Sequence, residues 1–295
     1  MSGTILCVGA LALDTIFRLD ALPTGPGKFL PTDAVQVVQA MATAQAATIV
    51  KLGGSARLWA SIGDDSTGTR ILADLTAAGI DTSAIRRVAG ATSGFASIFV
   101  DPAGERTIVP HYDPKIRSKP DLLPSMDGVA LVSADVRWPD AAEMALTAAR
   151  KLGIPGVLDV ELAPPDVLSR LVPLATHIVA SEPGATALTG ETDPRRALAA
   201  LSKLHPGFVA VTAGERGVFW PGGHQPAFPV EAVDTLAAGD VFHGTFAYGL
   251  ASGWDMPRIM RFASAAAAIK CTRFGGRLGA PTFDEVEALL ANSAV

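Results

Sequence analysis

The chain is predicted to form a doubly wound α/β sandwich: a mostly parallel sheet with helices on both faces, plus a small second β-sheet. Three observations predict it. From about residue 129, short β-branched runs alternate with alanine- and leucine-rich segments, the pattern of parallel strands joined by crossover helices. The first third instead carries strand-like stretches without long helices between them. At 295 residues and 49% hydrophobic composition, the chain has enough apolar surface to bury a large core.

Taken in order, the apolar run from Ile5 to Leu13 meets Asp14 at once and lacks a basic start, so it reads as a first strand and not as a signal peptide. Residues 14–19, 29–38 and 95–109 read as strands of the small sheet. In the last of these, Phe95, Ser97 and Phe99 alternate with Ala96, Ile98 and Val100, so both faces can be covered. Strands of the main sheet are expected at 129–133, 156–160, 177–181 and 208–212. Helices at 140–152, 183–188 and 194–204 lie between them, with right-handed crossovers. Thr282 and Glu285 form a capping-box pattern before Val286, Leu289 and Leu290, which announces a last helix. Because the small-sheet segments interleave with the main sheet, residues 1–295 read as one domain with a discontinuous lid from about 14–38 and 93–112.

Composition excludes several partners. The net charge is −5 and the basic residues are scattered, so neither nucleic acid nor an anionic membrane is expected. No stretch of about 18 apolar residues marks a transmembrane helix. Cys7 and Cys271 each lie in an apolar stretch with no metal-ligand neighbour, which points to buried free thiols and a cytoplasmic setting.

The chemistry concentrates in residues 234–244, Asp-Thr-Leu-Ala-Ala-Gly-Asp-Val-Phe-His-Gly. Ala237, Ala238 and Gly239 let the backbone approach a ligand, and the helix that follows offers free N–H groups to a phosphoryl group. Asp240 at the same turn is placed to take the proton of an attacking hydroxyl. The same residues would also suit a simple N-cap. Upstream, Asp14 follows Gly9 at an expected strand-to-loop transition, where a carboxylate can grip sugar hydroxyls or cap a turn. Residues 61–68, Ser-Ile-Gly-Asp-Asp-Ser-Thr-Gly, read as a turn and N-cap. Thr212, Gly214 and Gly217 mark a strand end whose glycines expose N–H groups to phosphate, or a tight hairpin.

Along the chain, and in the family's order, these motifs resemble G-x-x-x-x-D, G-D-D-x-x-G, T-x-G-x-x-G and the C-terminal D-T-x-G/A-A-G-D of the ribokinase (PfkB) family. The resemblance runs from Gly9 to the end of the chain. It implies a ribokinase-like fold and a carbohydrate kinase using ATP and Mg2+, with K+ in many members and dimers that pair through the lid. Asp240 would be the base, with Ala237, Ala238 and Gly239 holding the phosphoryl group. Asp14 would bind sugar, and Thr212, Gly214, Gly217, Lys270 and Gly275 would surround the nucleotide. Asp234 would hold the monovalent cation, and Glu182 would stand in the magnesium shell.

Within the family, Gly27-Lys28, the stretch from Ala134 to Trp138, Ser181–Gly184, Gln225–Phe228 and Lys270–Arg273 look most like the sulfofructose kinase branch. Lys28 and Arg137 would then converge on the anionic tail of a ketohexose such as 6-deoxy-6-sulfofructose, with Arg106 and His111 as further contacts. The pattern also departs from the family. Gln39-Ala40 and Ala44 stand where most members have Gly-Gly and Asn, and Ser181-Glu182-Pro183-Gly184 replaces N-x-x-E. Gln39 is expected to replace part of the lost bonding to sugar, and Asp159 and Glu161 to assist near the metal. A kinase for ribose, fructose, 2-keto-3-deoxygluconate or a nucleoside is the alternative, and a catalytically weak sugar or nucleotide sensor is a third reading.

Overall fold

The apolar run that opens the chain breaks at Gly9, whose φ of +146° reverses the backbone and splits the expected single strand into β1 (Thr4–Val8) and β2 (Ala12–Arg18). The computed structural model describes residues 3–293. The chain continues through β3 (Asp33–Gln39), α1 (Met41–Lys51), β4 (Ala56–Trp59), β5 (Ser61–Gly63), α2 (Ser66–Ala77), β6 (Arg86–Val88), β7 (Phe95–Val100) and β8 (Arg106–His111). Strand and helix then alternate through β9 (Val129–Ala134), α3 (Pro139–Leu152), β10 (Gly156–Val160), α4 (Pro165–Leu171), β11 (His177–Ser181), α5 (Glu182–Thr189), α6 (Pro194–Leu204) and β12 (Phe208–Thr212). A hairpin of β13 (Val218–Trp220) and β14 (Gly223–Gln225) leads to α7 (Ala238–Ala251), α8 (Met256–Cys271) and α9 (Phe283–Asn292).

The main sheet has the order β14-β13-β12-β11-β10-β9-β1-β4, parallel from β4 to β12 and antiparallel in its terminal hairpin. Its strands are apolar on both faces, as sheets covered by helices on both sides require. Ile5, Cys7, Leu131, Val157, Val179 and Ala210 pack toward α1, α2, α7 and α8. Their neighbours Leu6, Val8, Val132, Leu158, Ile178 and Val209 pack toward α3 to α6. Gly244 lets α7 approach α1 closely, since a Cβ there would lie 2.7 Å from the Gln45 carbonyl. The capping box at Thr282 and Glu285 is present and starts α9. Cys7 and Cys271 are both unpaired; Cys7 is buried and Cys271 half-buried. Among the described residues no helix is long and apolar enough to cross a membrane.

The small sheet has the order β3-β2-β7-β8, with only β2 and β7 parallel. Two expected strands change here. The stretch 95–109 is two strands, because residues 101–105 turn: Asp101 Oδ1 accepts from the N–H groups of Ala103 and Glu105, and Gly104 takes a φ of +81°. The strand expected from residue 29 begins only at Asp33, after Pro31, a residue that lacks a ladder donor. Residues 61–68 form a turn and cap. Asp65 Oδ1 accepts from Gly68 N and from the Ser93 hydroxyl, and Oδ2 accepts from Ser93 N, tying α2 to the segment that enters β7.

From β1 the chain moves out to β4 on one side and returns to β9 on the other, so the carboxyl ends of β1 and β9 diverge into a crevice at the sheet's switch point. Asp135 occupies that fork. It accepts from Ala10 N at 2.8 Å, Ala42 N at 3.1 Å and Arg137 N at 2.7 Å. A Cβ on Gly9 would fall 2.1 Å from this fixed carboxyl. Gly9→Ala is therefore expected to cost at least about 3 kcal/mol of stability in urea unfolding, combining strain and clash. Gly53→Ala, also at positive φ but in open space, should cost only about 1 kcal/mol; equal costs would refute the clash.

Candidate active site

The segment that feeds α7 is built around one buried carboxylate. Asp234 Oδ1 accepts from Leu236 N at 2.8 Å, while Oδ2 accepts from Gly275 N at 3.0 Å and Gly276 N at 3.1 Å and pairs with Lys270 Nζ at 3.1 Å. Ala237 then takes the left-handed conformation, φ 63°, as the residue preceding the helix. Of the three donors expected for a phosphoryl group, Ala238 N is committed to Thr235 O at 3.2 Å. Ala237 N has no intramolecular acceptor among the described residues. The N–H groups of Gly239 and Asp240, at the second and third helical positions, have no partner within the helix.

Asp240 is half-buried in the first turn of α7. Burial of its carboxyl, reinforced by the negative charge of Asp159 and opposed by His243, pushes its pKa up to about 7. His243 stands one turn further on. Its Nδ1 lies 2.7 Å from Gly239 O, and its Nε2 lies 3.2 Å from both Val179 O and Asp159 Oδ1. Both ring nitrogens thus lie within hydrogen-bond distance of oxygens. Behind it, Gln45 Nε2 donates to Asp159 Oδ2 at 2.8 Å and Ser133 Oγ donates to Gln45 Oε1 at 2.7 Å. His243 and Gln45 did not stand out in the sequence; the available signal was a histidine three residues after the acid inside an apolar helix.

On the expected sugar side, Asp14 lies within β2 and not at a strand-to-loop transition. Its Oδ2 accepts from Gln39 Nε2 at 3.0 Å, while Oδ1 is buried without a partner. Burial pushes this carboxyl up to about 6, against the opposing hydrogen bond from Gln39. Gln39 Oε1 in turn accepts from Arg277 N at 3.2 Å. Ala40 holds a φ of 101°, a conformation that favours glycine, and Ala44 is buried in α1.

Arg137 donates through Nη1 to Leu162 O at 3.0 Å and lines a cleft with Gly9, Tyr112, Arg117 and Trp138. Arg117 stacks over the Tyr112 ring at 4.2 Å. Burial and the charges of Asp14 and Asp135 push the Tyr112 hydroxyl up to about 12, while Arg117 and Arg137 oppose them. Lys28 lies on an exposed segment and is not part of this lining; the second guanidinium in the cleft is Arg117, which the motifs did not flag. Arg106 Nη1 donates to Thr235 Oγ1 at 3.1 Å, joining the small sheet to the turn before α7. His111 is exposed and packs on Phe95, ring centroids 5.0 Å apart.

On the expected nucleotide side, Thr212 ends β12 and donates through its hydroxyl to Ala180 O. Gly217 serves the hairpin: its N–H bonds Gly214 O at 2.9 Å, its φ is 82°, and a Cβ would lie 2.0 Å from Gln225 O. It therefore has no donor free for phosphate, whereas Gly214 is surrounded by open space. Glu182 is committed to an ion pair with Arg216, and Glu161 accepts from Ser181 Oγ and Leu162 N. Among the described residues no group of three or more His, Cys, Asp or Glu is arranged to hold a metal ion.

At the end of α8, Lys270 is completely buried against Asp234, and Gly275 N donates to the Asp234 carboxylate. Asp234 does not present an open carboxylate to K+, because the Lys270 ammonium already occupies it.

A family model described as pfkB family carbohydrate kinase matches residues 5–282. The chain is 30% identical to a ribokinase of Bacillus subtilis over 97% of its length and 99% of that protein's. A solved structure from Agrobacterium tumefaciens, provisionally assigned as a ribokinase, superposes with a TM-score of 0.95 at 46% identity, covering 99% of this chain and 98% of that one. The Arabidopsis thaliana ribokinase solved with ribose and ATP shares the fold, with a TM-score of 0.83 at 24% identity over 98% of this chain and 99% of that one. The chain thus belongs to the pfkB family of carbohydrate kinases, phosphotransferases that act on a sugar hydroxyl.

Proposed function

We propose that the protein transfers the γ-phosphoryl group of ATP to a hydroxyl of a ketohexose with an anionic tail, such as 6-deoxy-6-sulfofructose. The observation that carries the substrate class is the pair of guanidiniums, Arg117 and Arg137, flanking Tyr112 in the switch-point cleft. In this reading Arg137 and Arg117 grip the anionic tail, with Arg117 in the place expected for Lys28. The unpaired, buried Asp14 Oδ1 has a free acceptor for a sugar hydroxyl.

In this mechanism Asp240 accepts the proton of the attacking hydroxyl as its oxygen forms a bond to the γ-phosphorus and the bond to the β-phosphate oxygen breaks, releasing ADP. The N–H groups of Ala237, Gly239 and Asp240 stabilise the transferring oxygens. Magnesium carried by the ATP phosphates and water would neutralise their charge, and it needs no protein cage of the kind Glu182 cannot supply. Thr212 and Gly214 border the nucleotide. The small sheet acts as a lid that excludes water, with Arg106 as its contact to the turn. Its exposed Phe95, Ile108 and Val109 support pairing with a second copy. The unpaired cysteines suit the cytoplasm. A second reading, ribose as acceptor, is favoured by the ribokinase relatives.

Sugar-dependent ADP release across 6-deoxy-6-sulfofructose, fructose, fructose 6-phosphate, ribose, 2-keto-3-deoxygluconate and adenosine separates the two. Selective turnover of an anionic ketose is expected, with Arg137→Ala raising its KM roughly 10- to 100-fold, in line with a lost charge-assisted hydrogen bond. Turnover of ribose alone would reject the anionic tail. Asp240→Asn should bind ATP yet lose at least about 100-fold in turnover. Because the base must be ionised, wild-type kcat/KM should fall as pH drops through about 7; a profile flat from pH 6 to 8 would reject Asp240 as the base. Light scattering should give a dimer, reduced to a monomer by Val109→Lys; a wild-type monomer would reject lid pairing.

A further inference from the structure

Lys270 carries its ammonium into the interior of the protein, where an isolated charge is expensive unless paired and hydrogen-bonded. Its partners are all oxygens: the Asp234 carbonyl at 2.5 Å, the Asp234 carboxylate at 3.1 Å and the Arg273 carbonyl at 3.4 Å. One carboxylate oxygen and two backbone carbonyls make a hard-oxygen donor set suited to an alkali cation. Here a side chain anchored in the last turn of α8 fills it. The oxygens come from both sides of the site, Asp234 from the turn before α7 and Arg273 from the end of α8. The same Asp234 carboxylate fixes Leu236 N, immediately before the left-handed Ala237 from which α7 starts at Ala238.

We infer that Lys270 is a tethered internal cation that replaces an exchangeable monovalent ion and organises the 234–240 turn, so that this kinase needs no potassium to order its catalytic segment. The inference rests on membership of the kinase family and on no particular sugar. Lys270 is a positioning residue: it acts through Asp234 and touches no reacting atom.

The test is a cation series at constant ionic strength, in the chlorides of potassium, ammonium, sodium and tetramethylammonium, on wild type and Lys270→Met. Wild-type melting temperature should vary by less than about 1 °C across the series, and wild-type turnover by less than about twofold. Lys270→Met should melt about 5–15 °C lower in tetramethylammonium, as expected for a buried carboxylate left without its partner. It should lose at least about tenfold in turnover, and potassium or ammonium should restore part of both losses saturably. A purely structural lysine would show no such ion-selective rescue. Saturable, several-fold activation of wild type by potassium would overturn the inference, as would a Lys270→Met protein with wild-type melting and turnover in tetramethylammonium. Should the variant fail to fold, the wild-type series decides alone. The melting measurements need no sugar, so failure to identify the substrate leaves them intact.

Discussion

The buried carboxylate of Asp234 is the constraint on which the rest of the site depends. It has no solvent to share its charge with, so three separate chain segments must turn donors toward it: the Leu236 N–H, the Gly275 and Gly276 N–H groups, and the Lys270 ammonium. Satisfying the carboxylate therefore sets the path of the chain into α7 and the conformation of the 275–276 loop together. That loop is continued by Arg277, whose N–H bonds Gln39, and Gln39 bonds Asp14. A chain of hydrogen bonds thus connects the turn that carries the proposed base with the carboxylate proposed to hold the sugar. Breaking a buried pair of this kind typically costs about 3–5 kcal/mol, so such an arrangement is kept whole or lost whole.

A second electrostatic problem lies on the opposite side of Asp240. Burial raises the pKa of its carboxyl, and the neighbouring carboxyls Asp159, Asp135 and Glu161 add to that rise, while His243 opposes it. His243 provides the balance from within the same helix, fixed by the Gly239 and Val179 carbonyls and by Asp159. The outcome is a carboxyl poised near neutrality, where a general base is both ionised and basic enough to act. The remote Gln45 and Ser133 belong to this balance, because they hold Asp159 in place.

How much of this was legible follows from the range of the interactions involved. The main-sheet strands and the helices between them were readable because their signals are local: β-branched runs, proline at helix starts and the capping box at Thr282. The 234–240 turn was readable from its small residues. What sequence could not convey were pairings across distance. Lys270 is 36 residues from Asp234 and sits in an alanine-rich helix, where a lysine ordinarily reaches solvent. Gly217 fits a phosphate loop and a hairpin equally well until β13 and β14 close over it. Arg117 became visible only when a short helical turn brought it to Tyr112.

The departure at Gln39-Ala40 joins these two themes. Ala40 takes a glycine-type backbone at φ 101° and ψ 173°, at a strain of roughly 1–3 kcal/mol for a residue with a Cβ. Gln39 fills the space gained with a side chain that donates to Asp14 and accepts from Arg277, and it fits only because position 276 is glycine: a Cβ there would lie 2.1 Å from Gln39 Oε1. Asp14 is left with one oxygen bonded and one unpaired. Gln39 thus places a fixed amide beside Asp14, so a group that reaches the free Asp14 oxygen meets a side chain on that flank rather than bare backbone.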